Sequence, residues 1–212
     1  MRYGDPEPPL RFGAEGPPLT GSDSPVTEIL TLVGSLRSGS TNAQVAEAAV
    51  HAAPEGVTVR RYEGLDQLPF YNEDVDVAGS VPEAATAFRA ALSRADAVLV
   101  VTPEYNGTIP AVLKNAIDWA SRPYGESEIA GKPVAVIGSA FGQFGGVWAQ
   151  DEARKSFGIA GARVLDDVKL SIPGSVVRFA EVHPKDDAEV HEQLTAVVAA
   201  VAAAAQEPRA AA

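Results

Sequence analysis

Apolar residues along the chain fall into two kinds of run. Short unbroken ones, Ile29-Leu30-Thr31-Leu32-Val33, Ala97-Val98-Leu99-Val100-Val101 and Pro133–Ile137, have strand length and predict strands buried on both faces. The first of these strands is expected to run from about Glu28. Val57–Tyr62 (V-T-V-R-R-Y) alternates as a strand does and follows a turn at Pro54-Glu55-Gly56. A short strand is expected around Arg163–Leu165. Between the strands lie longer stretches at helical spacing: Ala43–Ala53, Pro82–Arg94 (Ala85, Phe88 and Leu92 on one face), Ala111–Ala120, Val147–Phe157 and about Asp186–Ala205. Pro110 suits the first turn of the third of these. Residues 168–182 read as irregular, with a turn at Pro173-Gly174.

Strands alternating with helices predict an α/β domain built on five parallel strands. Right-handed crossovers favour the doubly wound, flavodoxin-like order 2-1-3-4-5 with helices on both faces. In such sheets ligands sit beyond the carboxyl ends of the strands where the winding reverses, here between the first and third strands. That edge carries Gly34–Asn42 (G-S-L-R-S-G-S-T-N) and Thr102–Pro110 (T-P-E-Y-N-G-T-I-P), and the fourth strand adds Gly138–Gly146 (G-S-A-F-G-Q-F-G-G). A strand, a tight polar turn and a helix start suit a phosphate group, because the first helical N–H groups are unpaired and carry the positive end of the dipole. Ser35, Ser40, Thr41 and Asn42 offer short donors, and Arg37 adds a forked cation. The plainer reading is an ordinary N-capped helix with Thr41 or Asn42 as the cap. No Lys follows these glycines and G-x-G-x-x-G is absent, which excludes a Walker-type loop and the usual dinucleotide fingerprint. A hydroxyl-rich monophosphate pocket is left, and the phosphate of FMN fits it.

Composition narrows the chemistry further. The 212 residues include no cysteine, which removes disulfides, iron–sulfur ligation and thiol nucleophiles. His51, His183 and His191 are scattered and receive no role, so no metal site is expected. A formal net charge of −11 argues against nucleic acid, so an anionic cofactor needs a local field such as Arg37 and a helix N-terminus. Residues 1–25 contain six Pro and four Gly without hydrophobic periodicity and are expected to be a disordered extension. Residues 26–206 form the expected domain and 207–212 a disordered tail. Nothing has signal-peptide form, and Ala196–Ala205 is half a membrane span, so a cytoplasmic protein is expected. The pairs Asp166-Asp167 and Arg154-Lys155 read as solvated surface. In the long loop L-P-F-Y-N-E-D-V-D, Tyr71 and Asn72 are candidates for the substrate side, while anchoring of the loop by Phe70 and Tyr71 is the plainer alternative.

At these motifs the sequence resembles the NADPH-dependent FMN reductase family, which includes quinone, azo-dye and chromate reductases. The resemblance covers Glu28 to about Leu170 and rests on Gly34–Asn42, Thr102–Trp119 and the G-S-x-x-G-x-x-G-G-x-x-A-Q pattern of Gly138–Gln150. It implies that Ser35, Arg37, Ser40, Thr41 and Asn42 hold the FMN phosphate. Pro103, Glu104, Tyr105, Asn106 and Gly107 would lie along the ring and ribityl chain, and Ser139, Gly142, Gly145 and Gly146 on the flavin's far side. Two positions depart from the family: Ala111 stands where Gly is usual, and Trp148 where Arg is frequent.

The activity so implied is a ping-pong hydride transfer from NADPH or NADH through FMN to a quinone, azo compound, metal oxyanion or free flavin. The cofactor carries the hydride, so no catalytic side chain is named. A homodimer or homotetramer is implied by resemblance alone, with a small-molecule acceptor as partner and no membrane. The alternative is a flavodoxin-like carrier that binds FMN and moves single electrons, and a third reading is a flavin-free interaction protein on the same scaffold.

Overall fold

The computed structural model describes residues 26–208, so the extension expected over 1–25 and residues 209–212 of the expected tail lie outside the described residues. Six parallel strands form one sheet: β1 (Thr27–Val33), β2 (Val57–Arg61), β3 (Ala97–Thr102), β4 (Pro133–Ser139), β5 (Arg163–Val164) and β6 (Ser171–Ile172). The order is β2-β1-β3-β4-β5, with β6 also paired to β4. The outer position beside β4 is therefore shared. β5 pairs with Pro133 and Val134 at the start of β4, and β6 with Gly138 and Ser139 at its end. The flavodoxin-like order holds, with one short strand more than the five expected. Residues 168–182, read as irregular, contain β6 and the one-turn helix α5 (Ser175–Arg178), numbered after the four long helices before it. Two-residue strands and a single helical turn are too short to imprint a period on the sequence.

Side chains alternate across the central strands and fill two separate cores. Ile29, Val33, Leu99, Val101 and Ile137 face one side, covered by α1 (Thr41–His51) and α6 (Ala188–Ala205). Leu30, Leu32, Val98, Val100 and Val136 face the other, covered by α2 (Glu83–Arg94), α3 (Ala111–Ala120) and α4 (Val147–Ile159). Burial on both faces explains why these strands are continuous apolar runs while the edge strand β2 alternates. Because all strands are parallel, their carboxyl ends and the loops after them collect on one edge of the sheet.

The long loop after β2 is pinned along α3. Asn115 donates to the carbonyls of Leu68 and Pro69 and accepts from the Tyr71 amide, and Trp119 Nε1 donates to Pro69. Tyr71 packs edge-on against Trp119 with ring centroids 5.0 Å apart. Arg89 forks onto both oxygens of Asp76, holding that carboxyl below its usual range, while burial pushes the Tyr71 phenol up. Asn72 accepts from the Asp74 amide and caps a 3-10 turn. Phe70, 83% exposed, is the aromatic of this loop that faces solvent.

The C-terminal part is fastened by one acidic cap. Asp187 accepts from Val190 N–H at the start of α6 and takes a two-pronged contact from Arg178 of α5, at 2.7 and 2.8 Å. Arg178 also reaches Glu189. His183, given no role from sequence, accepts from Lys185 N–H in the connecting turn and lies 3.5 Å from Glu47 of α1.

The hydrogen bond from Arg178 leads the causes that hold the Asp187 carboxyl below the usual range. A depressed pKa stabilises the fold above the ordinary carboxylate value, and that contribution is lost as pH falls through the lowered one. Asp187→Ala is therefore expected to cost about 1–2 kcal/mol at neutral pH, the scale of a lost cap. In urea unfolding curves the gap between variant and wild type should narrow as pH falls below the ordinary carboxylate value and through the lowered one. A gap that stays constant over the whole acid range would remove the charged cap from the account.

Candidate functional site

Three loops from the carboxyl ends of β1, β3 and β4 meet over a cleft of about 190 Å³. Its lining brings together Ser35, Arg37, Ser40, Thr41, Asn42, Pro103, Glu104, Tyr105 and Ser139, nine residues singled out from the sequence. Asn106, Gly107, Gly142, Gly145 and Gly146 belong to the same loops but do not line the cleft. Tyr71 and Asn72 are not brought to it either, since their contacts anchor the loop after β2. Four further lining residues were not singled out: Ala140 and Phe141, at the unspecified positions of the Gly138–Gln150 pattern, and Ser175 and Val176, outside every motif. Ser175 follows Pro173-Gly174, a turn whose helix is too short to show a pattern.

The β1 loop meets the β3 loop at Gly34, where an added Cβ would lie 3.0 Å from Thr102 Oγ1 and 3.4 Å from Pro103 Cδ. A larger residue would therefore part the two loops. Ser40 is the N-cap of α1, its hydroxyl accepting from Ala43 N–H, where the sequence reading gave Thr41 or Asn42. Having accepted, the Ser40 hydroxyl keeps its hydrogen to donate. Asn42 is instead a clamp: its Nδ2 donates to Ser139 O and its Oδ1 accepts from Ser139 N, each at 2.9 Å and buried. This joins the first turn of α1 to the last residue of β4. Thr41 Oγ1 lies 3.3 Å from Ser139 Oγ and 3.4 Å from Ser175 Oγ. The Ser139 and Ser175 hydroxyls thus each reach Thr41, beyond the usual 2.7–2.8 Å of a good O–H···O bond. Arg37 is exposed at the cleft; its carbonyl accepts from Ser40 N–H, while its guanidinium makes no hydrogen bond or ion pair among the described residues.

The β3 loop is a tight turn. Tyr105 and Thr108 exchange both backbone hydrogen bonds at 3.1 Å, and Asn106 and Gly107 take left-handed φ values of 54° and 74°, as a two-residue I′ turn requires. The Tyr105 N–H is thereby committed to Thr108 O. Glu104 Oε2 accepts from Ala149 N–H in the first turn of α4, whose own N-cap, Gly146, has no side chain to offer. The carboxylate sits at the positive end of that helix and ties the β3 loop to the β4 loop.

The β4 loop rests on a buried layer that the sequence reading placed at the surface. Arg154 is 6% exposed: one nitrogen donates to Val136 O and Gln150 Oε1, the other to Asp151. Gln150 in turn donates to Gly145 O and Ser171 Oγ. Gly145 has φ 63°, and a Cβ there would lie 2.8 Å from Ile172 N, so only glycine fits between loop and β6. Lys155, by contrast, is exposed, as are Asp166 and Asp167. Trp148 and Phe144 pack on each other at the mouth of this loop, ring centroids 5.3 Å apart. Ala111 opens α3 without disturbing it.

The residues present fit a phosphate monoester. Under-bonded hydroxyls, the Arg37 guanidinium and the N-terminus of the eleven-residue α1 converge on one cleft. The α/β order, with its polar cleft at the β1/β3 switch point, defines a flavodoxin-like protein. Residues 27–176 match the family described as NADPH-dependent FMN reductase, and the chain belongs to that family. It is 47% identical to a quinone reductase of Pseudomonas putida over 133 residues, which is 63% of this chain and 70% of that protein. It is 45% identical to a 2-hydroxy-1,4-benzoquinone reductase of a Burkholderia species over 154 residues, 73% of this chain and 80% of the relative. A solved structure of the flavoenzyme NAD(P)H:(acceptor) oxidoreductase FerB from Paracoccus denitrificans superposes with a TM-score of 0.76 at 30% identity, covering 85% of this chain and 98% of FerB.

Asn42→Ala would remove the side chain that bonds both the buried amide and the buried carbonyl of Ser139. The expected loss is about 1–3 kcal/mol, the scale of two hydrogen bonds. Urea unfolding of the flavin-free protein measures it, and a loss below about 1 kcal/mol would mean that the clamp is dispensable.

Proposed function

We propose that this chain is an NAD(P)H-dependent FMN reductase that works in ping-pong fashion on quinone-type acceptors. The observation that carries the reading is the cleft itself, in which the hydroxyl cluster at the start of α1 and the Pro103–Tyr105 turn face one space. Bound FMN would supply the redox chemistry, taking a hydride from NADPH or NADH and handing electrons to the acceptor. Ser35, Arg37, Ser40 and Thr41 hold the phosphate, with Arg37 contributing the charge that a chain of net −11 otherwise lacks there. Pro103, Glu104, Tyr105, Asn106 and Gly107 border the ring and ribityl chain, with Ser139, Gly142, Gly145 and Gly146 opposite. Asn42 acts at one remove, by fixing Ser139.

Within the cleft Glu104 supplies the carboxylate, and Ala149 N–H engages it. A proton for the reduced acceptor then comes from water entering the open cleft, without a dedicated acid. The names of the Pseudomonas and Burkholderia relatives support the quinone class of acceptor. Among the described residues no helix is long and apolar enough to cross a membrane.

The purified protein, loaded with FMN and desalted, should keep a flavin spectrum that bleaches in one two-electron step when NADPH or NADH is added without oxygen. Retained flavin that neither nucleotide bleaches would favour the one-electron carrier, and no retained flavin would sink the proposal. Arg37→Ala should weaken FMN binding by about tenfold or more, the scale of a charged hydrogen bond. A fluorescence titration with unchanged affinity would remove Arg37 from the phosphate site.

A further inference from the structure

We infer that Ser175, from the far end of the chain, completes the phosphate pocket, and that the Arg178 clasp holds α5 where its first residue can do so. The inference rests on the flavin reading above. Ser175 is 1% exposed, yet it lines the cleft beside Thr41 and Ser139. Its hydroxyl has a single partner among the described residues, Thr41 Oγ1 at 3.4 Å, at the outer limit of a hydrogen bond. A buried hydroxyl so weakly bonded costs stability unless something else accepts from it. It has no local duty either: the N-cap of α5 is Gly174, at φ 59°, and no side chain caps that turn.

The position of Ser175 is set from outside its own helix. A four-residue helix cannot hold itself in water. Ser175 N–H donates to Ala140 O, which ties the start of α5 to the residue after β4. At its other end Arg178 forks onto Asp187 and reaches Glu189, both at the start of α6, and the next residue, Phe179, is buried in the α1/α6 core. The turn is thereby anchored at both ends by the chain's own contacts, which fix the hydroxyl. Such pre-organisation lowers the ordering cost of binding. Thr41 and Ser175, 134 positions apart, then present two hydroxyl donors to one oxyanion. Ser175 is a binding residue in this scheme and Arg178 a positioning residue.

Paired titrations with FMN and riboflavin, which lacks the phosphate, test this on the full chain. Wild type should bind FMN more tightly than riboflavin. Ser175→Ala should weaken FMN about tenfold, as for one lost hydrogen bond to a charged group, and leave riboflavin unchanged. Arg178→Gln should lower FMN affinity in the same selective way but less. Thermal melting of each variant without flavin shows whether it folds, and Ser175→Thr, which keeps a hydroxyl, should restore part of the FMN preference if Ser175→Ala melts early. Equal FMN affinity in Ser175→Ala and wild type would overturn the inference while leaving the flavin reading intact. So would a matching loss of FMN and riboflavin, which marks a structural role. Failure of wild type to bind either flavin would overturn both.

Discussion

The site depends on the clamp that Asn42 places on Ser139. An amide side chain has one good acceptor and donors on its nitrogen, and here it satisfies both backbone groups of the residue that ends β4. Those groups are buried, so they need partners, and the sheet no longer supplies a complete set where β4 runs out. The clamp sets the distance between the first turn of α1 and the end of β4. Through it the Thr41 hydroxyl meets that of Ser139, and the cleft acquires its floor. A residue chosen from the sequence as a phosphate donor thus serves the phosphate pocket by building it.

The other loops are held by the same logic, in which each borrows a partner from another. Glu104 of the β3 loop caps α4, whose own N-cap is a glycine. Gln150 of α4 holds Gly145 of the β4 loop and Ser171 of β6, and Arg154 holds Gln150 from below. A site built from loops is rigid only if their backbone groups are satisfied. The apolar cores above and below the sheet fix where the strands end, and this polar layer fixes how the loops stand on those ends.

The surroundings of the cleft divide by chemistry. One side is small and polar, made of hydroxyls, helix N-terminus and Arg37, and suits an anion. The other carries large apolar side chains open to solvent: Tyr105 of the β3 loop, Phe141 and Phe144 of the β4 loop, and Trp148 of α4, which packs on Phe144. A cofactor with a phosphate at one end and a flat ring at the other matches that division.

Strand positions, helix positions and the order of the sheet could be read from the chain because each rests on a local period or on a topological rule that leaves few alternatives. The unbroken apolar runs announced strands covered on both faces, and the glycine-, serine- and asparagine-rich motifs after β1, β3 and β4 announced the cleft. Nine of its lining residues were legible for that reason. What each polar side chain does there was decided only by tertiary contacts. Asn42 bonds both backbone groups of Ser139 and Arg154 lies beneath a loop, because each partner lies on another element and no spacing rule reaches it. Ser175 was invisible for a related reason: its helix is one turn long, and what places it is a salt bridge at one end and a backbone bond to β4's exit at the other. Sequence determines local form through periodicity and turn chemistry. The assignment of buried donors to acceptors is a property of the packed molecule, since it depends on which groups lose water together.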